Sequence, residues 1–372
     1  MNFEKNKSAW RLIALIFTLA VAVRLFLIIA AMAKAGISFK EYCLLHDGWE
    51  YMRLCLAFSG AGFSHIGGET LRLYPGYPIL MMLMGGFRFP EVAGIGISVI
   101  SAGASSLLIR GLDERKSLPF FMALVHPSWL VFSATLMSEG LSVALTLGAL
   151  VLLMRKEWRW SALTAGASFV VRPVGIFLVA IVVYCYYREN RGRGSGKIFI
   201  AGLCLPAVYM ISYWLLFGEL MQSIHSYSVK DFAYPVVSIA RNMLSPNTAV
   251  ILKLFVILSI AFGLVGTAGL YERFRRGERL FLPLFLWNAA VFLFYLLLPS
   301  SWTFRCIDRF YLSLYPTSLV GLAPWFPRNK GVMNAALILL SVISFFIALR
   351  WLVHLSAVYP FADRALPAFL SR

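Results

Sequence analysis

The chain has 372 residues, 60% hydrophobic and 14% charged, with a mean hydropathy of +0.77. Water-soluble domains carry roughly 25% charged residues, and here apolar runs of about 20 residues, each long enough to cross a bilayer core, recur along the whole length. A soluble fold is thereby excluded. The formal net charge of +17 does not point to nucleic acid either, because the basic residues gather in short loops between apolar runs, the positive-inside pattern.

Met1–Arg11 is basic and leads into about 23 apolar residues without an A-x-A-like end, which predicts a retained first span and a cytoplasmic N-terminus. That span covers about Trp10–Lys34. The first loop follows over 35–76, too polar to cross a membrane, with His46, Asp47, Gly48, Trp49 and Glu50 in succession and an exit through Arg72, Tyr74 and Tyr77. Tyr77–Leu112 is apolar apart from GGFRFPE at Gly85–Glu91. Leu118–Leu136 and Glu139–Met154 come next, closing on the cytoplasmic cluster Arg155, Lys156 and Arg159.

Trp160–Tyr187 has cytoplasmic-type charges on both sides, so an even number of crossings is expected. Yet its 28 residues reach only roughly 42 Å as a helix, too short for two full crossings, and Arg172-Pro173 divides it near the middle. Two short helices meeting at Arg172 inside the protein satisfy both constraints. Ile198–Phe217 then runs outward to a second loop over 218–247, where His225 and Lys230 show no spacing that points to chemistry. Thr248–Leu270 returns to Arg273, Arg275, Arg276 and Arg279, and Leu280–Leu298 goes out to a third loop over 299–310. Tyr311–Phe326 and Val332–Val353 complete the spans, with Arg328 and Lys330 between them, and His354–Arg372 is too short for a domain. The expectation is one all-α polytopic bundle over 1–372, of about 11–12 helices, with the three polar loops on the non-cytoplasmic face and no separate soluble domain.

Within this scaffold few residues are suited to chemistry. Asp47 is either a general base, with His46 and Glu50 beside it and Gly48 allowing close substrate approach, or an ordinary helix N-cap. Glu139, at the outer end of a span, is either functional or a capping residue beside Ser138. Arg172 lies in the apolar run ASFVVRPVGIF, where neither snorkelling nor a basic cluster accounts for it. A phosphate group satisfies it, and so does an internal carboxylate such as Glu139. Arg72, Arg305 and Arg309 stand beside aromatic residues and prolines on the same outer face, as phosphate ligands or as interfacial anchors; Asp308 offers Arg309 a plain ion pair. His126 sits where a helix starts or kinks. The five cysteines (Cys43, Cys55, Cys185, Cys204, Cys306) have neither CxxC nor paired metal-ligand spacing. No Gly-rich phosphate loop, HExxH or Ser-His-Asp order is present.

Four stretches in order, HDGWEYMRLCLAFSGAGF, RLYPGYPIL, HPSWLVFSATLMSEGLSVAL and ASFVVRPVGIFL, with the late DRFYLSLYP, together resemble the GT-C membrane glycosyltransferases that use polyprenyl-phosphate-linked sugars. The resemblance implies a GT-C-like fold with a catalytic first loop. It implies inverting transfer of a mannose-like hexose or a pentose to a hydroxyl of a glycan, lipid or protein at the non-cytoplasmic face; the compact size of the chain suggests a bacterial inner membrane. On matching positions it makes Asp47 the base, with Glu50 and Glu139 as further acids. It makes Arg72, Arg172, Arg305 and Arg309 phosphate ligands, and His46, Trp49, Tyr74, Tyr77 and Tyr311 substrate contacts. No cofactor is required; a divalent metal is compatible with the family but not indicated, since one Asp stands where a doubly acidic motif is expected. The large C-terminal soluble domain of many members has no counterpart. A transporter or flippase of a lipid-linked sugar is the alternative, disfavoured because the charges concentrate on one face rather than at a midplane site.

Overall fold

The computed structural model describes residues 3–61, 73–217, 243–246, 250–297 and 307–358. The described secondary structure is helical throughout, with no strand among the described residues. Among the described residues eleven α-helices lead from the start of the chain to its middle: α1 Phe3–Ala35, α2 Phe39–Cys43, α3 Gly48–Leu56, α4 Gly76–Met81, α5 Pro90–Leu108, α6 Leu118–Leu124, α7 Pro127–Ala134, α8 Glu139–Met154, α9 Trp158–Val171, α10 Gly175–Glu189 and α11 Ser195–Phe217. The remainder comprises α12 Val250–Arg275, α13 Leu282–Leu297, the single turn α14 Ile307–Phe310, α15 Tyr315–Leu322 and α16 Lys330–Val358.

Among the described residues six helices are long and apolar enough to cross a membrane, and seven if the bent pair Pro127–Ala134 and Glu139–Met154, at 109°, forms one span. This is fewer full-length spans than the eleven or twelve hydrophobic helices expected, because backbone breaks cut several apolar stretches into short helices. Gly85, with φ at +89°, turns the chain between α4 and α5. Pro127 starts α7 after an extended His126. Arg172 is extended (φ −151°, ψ 140°) between α9 and α10, so the 14- and 15-residue halves each reach only roughly 22 Å. The two short helices expected on either side of Arg172-Pro173 are therefore present.

Such breaks leave backbone carbonyls without helical partners, a cost inside a membrane that other side chains must offset. At the end of α6 three different helices supply donors. Ser344 donates to Val125 O and Arg24 to Ala123 O, and Tyr315 adds a second bond, at 2.8 Å, to Phe121 O, which also accepts from Val125 N. Arg24 is fully buried in the middle of the first span and also reaches Ser133 Oγ at 3.0 Å and Ala20 O at 3.2 Å. An arginine at that depth is among the costliest residues to insert, and its role here is to hold the α6–α7 break.

The helices near the C-terminal half are joined by close backbone contact and a polar network. A Cβ on Gly266 would lie 2.6 Å from Ser318 Cα, and one on Gly321 would run into Gly266 O, so α12 and α15 approach as small-residue interfaces in membranes do. Buried Asn288 on α13 donates to Ser318 Oγ at 3.1 Å and to Thr267 Oγ1 at 3.3 Å, and accepts from Thr317. These contacts fix α15 and thus the turn before it, which carries Arg309.

Candidate functional site

Four charged side chains distant in sequence meet at one point. Asp47 lies at the N-terminus of α3, Glu139 begins α8, Arg172 occupies the α9–α10 break and Arg309 lies in α14. Arg309 Nη2 donates to Asp47 Oδ2 at 2.6 Å, while its Nε donates to Glu139 Oε1. Arg172 Nη1 is 2.6 Å from the same Glu139 oxygen. The result is an alternating chain, Asp47–Arg309–Glu139–Arg172, whose formal charges sum to zero. Glu139 is 1% exposed at its side chain, Arg172 12%, Arg309 15% and Asp47 19%, so Asp47 is the member nearest to solvent. The second Glu139 oxygen is buried without a hydrogen bond among the described residues.

Capping does not explain either carboxylate. Asp47 holds the N-cap position of α3 and Ser138 that of α8, yet neither makes a side-chain cap hydrogen bond. Contrast α2, where Ser38 and Glu41 form a reciprocal capping box. The cap of α3 is instead enforced by shape. His46 takes a positive φ of +55°, uncommon for a residue with a Cβ. Gly48 follows it, and any Cβ there would collide with Cys43 O. The close approach that requires glycine at position 48 in the fold is to the chain itself, at Cys43 O.

The other predicted residues fall around this centre. The His46 ring packs 5.3 Å from Phe132, which also lies 5.8 Å from the Arg309 guanidinium and 5.9 Å from the Trp351 ring. Glu50 is buried on α3, and the Trp49 ring lies 5.3 Å from the Arg53 guanidinium. Tyr74 packs with Phe169 and Tyr209, at 5.8 and 5.6 Å, in a small aromatic cluster just before Arg172. Tyr77 is fully buried, its hydroxyl engaged by Gly94 O and Ser98 Oγ at 2.8 and 2.9 Å, a core position rather than an open contact surface. Tyr311 stacks on Phe292 at 5.2 Å, and its hydroxyl is buried without a hydrogen bond among the described residues. Arg72 and Arg305 lie outside the described residues, as do the side chain of Asp308 and nearly all of 218–247. His126 caps α7 by accepting from Trp129 N at 3.3 Å. Among the described residues no group of three His, Cys, Asp or Glu converges as metal ligands would.

Tyr51, which the sequence reading passed over, donates to Ser138 Oγ at 2.8 Å and packs edge-on to Tyr77 at 4.9 Å. It thereby ties α3 to the turn just before Glu139. Its spacing four residues after Asp47, one helical turn on, is the signal that points to it.

Burial and the nearby Arg309 hold the His46 imidazole well below its ordinary range, at about 4, against smaller opposing effects of Asp47 and Glu139. His46 is therefore neutral at pH 7. In the unfolded chain it protonates near 6.5, so between about pH 6.5 and 4 the unfolded state binds more protons and folded stability falls as pH falls. We expect a loss on the order of 1–3 kcal/mol over that window, seen as a falling Tm in detergent. His46→Asn should flatten this dependence; an unchanged slope would assign it to other groups.

Composition and fold together define an integral, multi-pass α-helical membrane protein. The chain matches no protein-family model, and no curated protein is similar enough to it to count as a relative.

Proposed function

We propose that this protein is a glycosyltransferase that moves a sugar from a polyprenyl-phosphate donor to an acceptor hydroxyl with inversion, at the non-cytoplasmic face of a bacterial inner membrane. The observation that carries this reading is that Asp47, on the first loop, does not cap its helix but stands at the solvent end of a charge-compensated network of two carboxylates and two arginines. A general base for a hydroxyl must be an acceptor within reach of solvent and held in place, and Asp47 meets both conditions. The resemblance of the four motif stretches to the GT-C membrane glycosyltransferases supports the same assignment.

In this scheme the acceptor oxygen forms its bond to the sugar C1 as the C1–O bond to the lipid phosphate breaks. The acceptor proton passes to Asp47, and the lipid phosphate leaves with the bonding electron pair. Charge develops on the phosphate, which cationic donors such as Arg172 stabilise without first requiring its protonation. Arg172 shows one described ion pair, through Nη1, and the rest of its fork suits a phosphate oxygen.

The test is transfer by the purified protein in liposomes, with polyprenyl-phosphate sugars of defined anomeric configuration. Inverted product is expected. No turnover of any such donor, or product with retained configuration, would overturn the proposal. Arg172→Ala should raise the donor KM by roughly tenfold or more, the loss of one charge-assisted hydrogen bond; an unchanged KM would leave Arg172 solely as the partner of Glu139.

A further inference from the structure

We infer that Arg309 is a positioning residue for Asp47 rather than a ligand of the donor phosphate, an inference about the proposed transferase site that rests on that reading for its chemistry. The guanidinium carries its N–H groups in a fixed plane. The Nε/Nη2 edge, which elsewhere grips a single carboxylate or phosphate in bidentate fashion, is divided here: Nε goes to Glu139 and Nη2 to Asp47 Oδ2. One side chain thus couples the orientation of Asp47 to a carboxylate that is 1% exposed and held in addition by Arg172.

The backbone beneath Arg309 is held as firmly as its head group. Phe310, the next residue, stacks on Tyr295 at 5.0 Å and 21°, and Tyr311 stacks on Phe292 at 5.2 Å and 13°. Two residues further on, Ser313 O accepts from Trp287 Nε1 at 3.2 Å. All three partners lie on α13. A phosphate clamp needs a guanidinium that can meet a ligand; this one is fastened on two carboxylates, and the backbone just after it is held by two aromatic stacks. Lysine keeps the charge but lacks the rigid planar fork that fixes the directions of the two carboxylates relative to each other.

Arg309→Lys and Arg309→Gln are compared with native protein in two measurements. In the transfer assay kcat should fall roughly 10²-fold in both, the effect of misplacing a reacting group by about an ångström, with donor KM within about 3-fold of native. A raised KM with kcat preserved would make Arg309 a donor ligand and overturn the inference, as would Arg309→Lys restoring kcat. The second measurement does not depend on activity: Tm in detergent for Asp47→Asn, Arg309→Gln and the double variant. If Arg309 holds Asp47, the double variant should lose no more than Arg309→Gln alone. Additive losses would overturn the coupling. Should native protein turn over no donor, the transferase reading fails by itself and the Tm comparison still decides whether Arg309 holds Asp47.

Discussion

Asp47→Asn should lower the rate of sugar transfer by roughly 10²–10⁴-fold, the range that a positioned general base contributes. Asparagine preserves the shape and can still accept a hydrogen bond from Arg309, but it cannot take up the acceptor proton. The substitution gives the quartet a net charge of +1, but at its most exposed end (the Asp47 side chain is 19% exposed, that of Glu139 1%) and with Glu139 still bonded to both arginines. A folded protein, less destabilised than Glu139→Gln, is therefore expected. Loss of rate with donor KM close to native would separate loss of the base from loss of binding. Equal rates for native and Asp47→Asn protein would remove Asp47 from the chemistry. The same protein with Glu50→Gln gives the internal comparison: Glu50 is buried one turn into α3, so it should affect the rate less than Asp47 does.

How much of this was legible depended on whether a local signal reported a long-range contact. Arg172 was conspicuous because a charge in an apolar run requires a partner, and Glu139, one of the two partners considered for it, is the one it meets. Glu139 stood out for the same reason and Asp47 for its place beside His46, Gly48 and Glu50 in a polar loop, but nothing local shows whether either side chain caps its helix; only the direction of the side chain does so. That Arg309 bridges the two carboxylates was not legible, since no periodicity relates residues 47, 139 and 309. Arg24 obeys the same rule as Arg172, yet its partners are backbone carbonyls and a serine at the α6–α7 break, and hydropathy does not register a helix that ends inside an apolar stretch. His126-Pro127 and Arg172-Pro173 are likewise small perturbations of hydropathy but decisive ones for the backbone, through the missing N–H of proline and its constraint on the preceding residue. The second break was legible because the flanking charges call for an even number of crossings that 28 residues are too few to make.

Glu139→Gln should be the most destabilising single change at the site. Glu139 is all but fully buried and accepts from both Arg172 and Arg309 through one oxygen. Replacing it by glutamine keeps the volume but leaves Asp47 paired with Arg309 and Arg172 without its carboxylate, and gives the quartet a net charge of +1. Removing one partner from a buried ion pair costs roughly 3–5 kcal/mol, because the remaining charge stays desolvated without compensation. The same principle predicts that neutrality matters more than the number of ion pairs. In Glu139→Gln/Arg172→Gln the Asp47–Arg309 pair is retained and the set sums to zero again, so the double variant should be more stable than Glu139→Gln alone. The comparison is made by thermal unfolding of the four proteins (native, both single variants and the double variant) in one detergent at one pH. A double variant at least as destabilised as the sum of its parts would mean that Glu139 acts through packing, and that the alternating charges at this site do not govern how α3, α8, the α9–α10 break and α14 are held together.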